Sequence, residues 1–184
     1  SMKNMHLGGL NYNITPMNFG GKITVKSGIN GDIINDGVKR YRDLNQQHLE
    51  SDLEQAIDDA LLVQVRTTQS DVNVAVAVRF PDNTPHRTEI SKGKAYAFWD
   101  LNLEAEETWE LEKIASIYTS KENKDDFAAS AMSTVKEADS YFTGATESML
   151  AWSEIWEAAD MEIEGDREAQ KLLRLHIYHL MCSF

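Results

Sequence analysis

The chain has 184 residues, with 42% apolar and 26% charged residues, which suits one ordinary domain, or one compact unit plus a helical appendage, and excludes wholesale disorder. Its formal net charge is -12, and an acidic surface repels phosphate backbones and anionic lipid heads, so no nucleic acid and no membrane are expected as partners. Residues 1–50 hold six Lys/Arg against four Asp/Glu, a balance of +2, which leaves -14 for the remainder.

Residues 7 to about 118 alternate as strands do. Ile23 and Val25 face one way, with Lys22, Thr24 and Lys26 the other. Leu49–Asp59 breaks the pattern and reads as a loop or one helical turn. Val72, Val74, Val76 and Val78 form the cleanest period-two run. Tyr96 to Leu103 is apolar on both faces, as a central strand should be. Trp109, Leu111, Ala115 and Ile117 line one side of a further strand, with Glu110 and Glu112 opposite. Turn residues separate these runs at Asn18–Gly21, Asn30–Asp32, Asp36-Gly37, Pro81–Asn83 and Ser91–Gly93. Several short strands with turns between them predict an antiparallel sandwich.

After Thr119 the period becomes helical. Phe127, Ala131, Val135 and Ala138 mark a helix within Lys124–Ala138. Met149, Trp152, Trp156 and Ala159 mark a second. Asp166 is the expected N-cap of a third, with Glu168 in its first turn. That helix carries an apolar face of Ala169, Leu172, Leu173, His176, Ile177 and Leu180, for which the sequence supplies no later partner. The fold class is therefore α+β: an incomplete antiparallel β-sandwich over 1–119, then a group of α-helices over 120–184.

Few residues suggest chemistry. His176 and His179 stand three apart and can approach one ligand on a helix, but zinc sites need three or four protein ligands, so no metal is expected. Glu162, Glu164 and Asp166 alternate, and paired carboxylates are the tools of glycoside chemistry. Asp166, however, has its capping role, and such clusters are usually solvated or bonded to backbone amides. Arg42, Asp43, Asn45 and His48 form a polar cluster suited to a sugar site or to pinning a loop. Trp99, Trp109, Trp152 and Trp156 lie on periodic apolar faces and read as core rather than sugar platforms. Cys182, the sole cysteine, sits among Leu180, Met181 and Phe184 and reads as buried. It allows no internal disulfide, which fits a cytoplasmic protein. No phosphate loop, nucleophile elbow or Cys-x-x-Cys pair is present.

Two stretches, Lys22–Gly31 and Gly37–Asn45 with His48-Leu49, are similar to the amino-terminal domain of glycoside hydrolase family 65. Val65–Ser70 joins them. The most specific likeness is Trp152-x-x-x-Trp156 followed by Asp160-Met-Glu-Ile-Glu-Gly-Asp166 and Glu168-Ala-Gln170, continuing through Leu172–Leu180, which resembles the entry into that family's first barrel helix. The resemblance implies a parent enzyme, of the kind that splits maltose, kojibiose, nigerose or trehalose. It would use inorganic phosphate as co-substrate, invert the anomeric carbon, and need no cofactor. It implies a β-sandwich, a helical linker, an α/α barrel and a small β-domain, with the general acid and the phosphate site in the barrel. No catalytic or substrate-binding residue of this chain is thereby identified. The chain is expected to start inside the sandwich and stop within the barrel's first helix, and to act as a non-catalytic part that braces barrel and homo-oligomer. The alternative is a stand-alone carbohydrate-binding or oligomer-forming sandwich.

Overall fold

The computed structural model describes residues 4–183 except 36, 38–39, 41–42, 44–45 and 123–125. Eight strands are followed by three helices: β1 (Leu7–Ile14), β2 (Gly21–Asn30), β3 (Leu49–Ile57), β4 (Ala60–Thr67), β5 (Asn73–Arg79), β6 (Arg87–Ser91), β7 (Lys94–Leu103), β8 (Trp109–Thr119), α1 (Phe127–Glu137), α2 (Tyr141–Ala159) and α3 (Arg167–Met181). The strands form a five-stranded sheet, β1-β8-β5-β4-β3, and a three-stranded sheet, β2-β7-β6. All their pairings are antiparallel.

Two apolar layers follow from the alternation of side chains. Leu61, Val63, Val65, Val78 and Leu111 of the larger sheet meet Ile29, Ala95, Ala97 and Trp99 of the smaller one. On the opposite face, Leu62, Ala75, Ala77 and Ile114 meet Phe127, Ala131 and Val135 of α1. The run Val74-Ala75-Val76-Ala77-Val78 thus sends valines into the sandwich and alanines under the helix. Their small side chains let the helix approach closely, and Ala75, Ala77 and Ala131 have no exposed surface. Trp99 is 2% exposed, packs edge-on to Phe80 with ring centroids 4.8 Å apart, and donates its indole N–H to the Asn83 carbonyl.

Polar groups fix the helix on the sheet. Ser116, fully buried, donates to the Ala131 carbonyl at 2.6 Å. Arg79 of β5 donates to the carbonyls of Val135, Lys136 and Ala138, groups that a helix end leaves without intrahelical partners. Its Nε holds the Asp59 carboxylate at 2.9 Å.

Three expectations are corrected. Leu49–Ile57 is the edge strand β3. Its register shifts between Ser51 and Leu53, and this bulge sends Leu49 to the sandwich layer and Leu53 to the helix layer, hiding the period of two. The Asp58-Asp59 turn, with Asp58 at φ 57°, closes β3 onto β4 as a two-residue hairpin. Ile117, expected inside with Trp109, Leu111 and Ala115, is exposed, since three strands facing five leave part of the inner face uncovered. Cys182 is exposed rather than buried, because Leu180 and Met181 beside it face solvent themselves; Phe184 falls outside the described residues.

Candidate functional site

The carboxylate loop between α2 and α3 is the most organised polar centre of the helical part. Gly165 turns the chain at φ 85°. Asp166 caps α3, accepting from the Glu168 and Ala169 amides at 3.1 and 3.0 Å. Gln170 clasps the loop from both sides: its Nε2 donates to the Met161 carbonyl and its Oε1 accepts from the Ile163 amide. Arg174 grips Asp160 through both carboxylate oxygens, at 3.0 and 2.5 Å. That hydrogen bond holds the Asp160 carboxyl below its ordinary range and raises the guanidinium. Asp160 is thus kept ionised and is unsuited to act as a general acid near neutral pH. Glu162 and Glu164 are exposed flanks of the same loop. Asp166 therefore caps, as expected, and the three alternating carboxylates do not converge on a shielded site.

The histidines also stay apart from any ligand set. Nδ1 of His176 lies 2.7 Å from the Leu172 carbonyl, and His179 meets Tyr178 edge-on. Among the described residues no group of three His, Cys, Asp or Glu is placed to hold a metal ion.

The four tryptophans divide. Trp99 and Trp109 belong to the sandwich layer. Trp152 and Trp156 are half-buried on α2, where Trp152 stacks on Tyr178 of α3 with centroids 5.0 Å apart. They join two helices rather than filling a core, contrary to expectation. Of the residues in α2, none is buried. In α3 only Ile177 is; Leu172, Leu175, Leu180 and Met181 are exposed. From Glu137 to Asp166 the chain has nine Asp/Glu and no Lys or Arg, whereas α3 itself carries Arg167, Lys171 and Arg174 against Glu168.

Two cavities lie beside the sandwich. The larger, of about 630 Å³, runs between β1 and the start of α2. Its helix end is already satisfied, since Ser140 accepts from the Thr143 amide and Glu112 of β8 from the Tyr141 amide. The smaller, of about 210 Å³, lies at the sandwich rim where Gly31-Asp32, Gln47, β3, Thr68 and the β6–β7 hairpin meet. Gly31 and Gly93 both line it and are joined by a 2.7 Å backbone hydrogen bond. A Cβ on Gly31 would lie 2.6 Å from Val65, and Gly93 adopts φ 73°. Asp32 holds Lys94 at 2.9 Å and accepts from Gln47 at 3.3 Å. Ser51 and Glu54 both accept from the Gly93 amide.

Of the predicted polar cluster, Arg42 and Asn45 fall outside the described residues. Asp43 is exposed. His48 is exposed too, and its carbonyl, not its ring, is engaged, accepting from the Thr68 amide at 3.0 Å. That bond helps bring Gly31, Leu49 and Thr68, one from each of three separated stretches, to one rim. Sequence reasoning missed the cavity, because a glycine, a surface threonine and a hairpin lysine carry no periodic signal.

Comparison with known proteins accords with this architecture. The family model for the glycosyl hydrolase family 65 N-terminal domain matches residues 1–155. An uncharacterised glycosyl hydrolase of Mycobacterium tuberculosis H37Rv is 30% identical over 98% of this chain and 14% of its own length. A kojibiose phosphorylase of Halothermothrix orenii is 28% identical over 98% of this chain and 24% of its own. An α,α-trehalose phosphorylase of Thermoanaerobacter brockii is 27% identical over 100% and 25%, respectively. A solved structure, a candidate kojibiose phosphorylase from the human microbiome, shares the fold at TM-score 0.79 and 13% identity, over 91% of this chain and 22% of that one. The chain spans a quarter or less of these proteins.

Proposed function

From the premise that this chain belongs to glycosyl hydrolase family 65, we propose that it is the non-catalytic amino-terminal portion of an inverting α-glucoside phosphorylase. Its parent would act in the cytoplasm on an α-linked glucose disaccharide and inorganic phosphate. The sandwich and helices would brace a catalytic barrel and the oligomer. The observation that carries this reading is the apolar exposure of α3: Leu172, Leu175, Leu180 and Met181 stand exposed around a helix whose loop is locked by Asp166, Gln170 and Arg174. An apolar patch on a fixed support is suited to packing against further protein. The chemistry agrees. Inversion needs an acid on the leaving oxygen and a nucleophile on the opposite face, and the carboxylates of the α2–α3 loop offer a helix cap, an arginine partner and solvated flanks. Among the described residues no helix is long and apolar enough to cross a membrane.

Incubating the chain with kojibiose, trehalose or maltose and inorganic phosphate should yield no β-glucose 1-phosphate by phosphorus NMR; turnover would overturn the reading. Placing Leu172→Glu with Leu175→Glu in the full-length parent should lower its thermal stability and activity together. An unaffected parent would remove the bracing role.

A further inference from the structure

We infer that the rim cavity between β3 and the β6–β7 hairpin binds a neutral polyhydroxylated ligand the size of one sugar ring. The inference stands on the cavity's own chemistry and not on the function proposed above. A volume of about 210 Å³ leaves room for a monosaccharide.

The lining decides the ligand class. Its wall combines residues that donate with residues that accept: Lys92, Thr68 and Gln47 line it together with Asp32 and Glu50. Among the described residues neither the Lys92 ammonium nor the Thr68 hydroxyl has a protein partner, so both are available to a ligand. The carboxylates are only partly used. Glu50 meets Arg66 through Oε2 at 3.0 Å, and Asp32 meets Lys94 and Gln47. Each retains acceptor capacity.

An anion such as phosphate would face two carboxylates at close range, which disfavours it. A divalent cation would find only two carboxylates, both already bound to arginine or lysine, with Lys92 beside them. Vicinal hydroxyls, which donate and accept at once, match both halves of the wall. Leu49 supplies the one large apolar surface, against which the C–H face of a ring can lie. Side chains at Gly31 or Gly93 would collide with Val65 or strain the backbone, so both lining positions favour glycine.

Titration of the intact chain with D-glucose, D-mannose and D-galactose, followed by amide NMR, tests this. At least one sugar should shift the amides of Gly31, Gln47, Ser51, Thr68 and Gly93 with millimolar saturation, while α3 amides stay still. Thr68→Val and Lys92→Ala, both at exposed positions, should each weaken binding about tenfold without altering the rest of the spectrum. Glucose 6-phosphate should bind more weakly than glucose. The inference is overturned if no sugar perturbs these amides, if both variants bind as well as the parent chain, or if the phosphorylated sugar binds more tightly.

Discussion

The sandwich with α1 and the α2–α3 pair are held by different physics. In the first, two apolar layers share the β4, β5 and β8 strands, each built on buried side chains with partly buried ones packed against them. In the second, no residue of α2 is buried, and cohesion comes from an N-cap, an arginine clasp, a glutamine bridge and stacked aromatic rings. Such a region opens locally at lower free energy than the apolar layers do. The contrast teaches that regular secondary structure alone does not reveal where stability resides: α2 is the longest helix and contributes least to the core.

Changes in the sandwich should break it globally. Trp99→Ala removes the largest side chain between the sheets and should cost about 3–5 kcal/mol, read as a lower urea midpoint by circular dichroism. Ala77→Leu forces bulk under α1 and should cost about 1–3 kcal/mol by the same measure. Arg79→Ala leaves the α1 carbonyls without their cap and should cost about 1–3 kcal/mol. If any of these altered only α2 and α3, the division of the molecule would be wrong.

Changes in the helical pair should act locally. Asp160→Asn weakens the Arg174 clasp, so hydrogen exchange should quicken in α3 while the strands keep their protection. The same clasp responds to pH. Its carboxyl is held below the ordinary value of about 3.9, so the stabilisation is present above that value and is lost as pH falls through the lower folded-state value. Protection of α3 should therefore fail in acid at a pH below the ordinary carboxylate range. Global unfolding in the same step would contradict the comparison. The smallest effect belongs to Cys182→Ser, expected to leave stability unchanged, while the native thiol reacts at once with a disulfide reagent because it is exposed.

These differences also explain what the sequence made legible. The Val/Ala alternation of β5 and the spacing of Phe127, Ala131 and Val135 were readable because burial on a defined face leaves a period. Asp166 was readable because capping is local. Leu49–Ile57 was not: its bulge shifts the alternation midway through the strand. The places of Trp152, Trp156 and Cys182 were misread because helical spacing shows that a face is apolar without showing what covers it. The rim cavity was illegible for a further reason. Gly31, Thr68 and Lys92 meet only once the sheets are registered, and no interval along the chain announces that meeting.

The Arg79 contacts set an order of assembly. Asp59 lies 20 residues before it and the α1 carbonyls lie 56 to 59 residues after. Closure over the shorter interval is entropically easier, and hairpins form within about 1–10 μs. The β3–β4 turn and β5 can therefore join through Asp59 and Arg79 while the later strands are still unpaired. On a ribosome, α1 emerges after β1–β8 and meets a guanidinium already aimed at its future end. Docking of α1 is then the late step, and substitutions at Ala131 or Val135 should accelerate unfolding more than they slow folding.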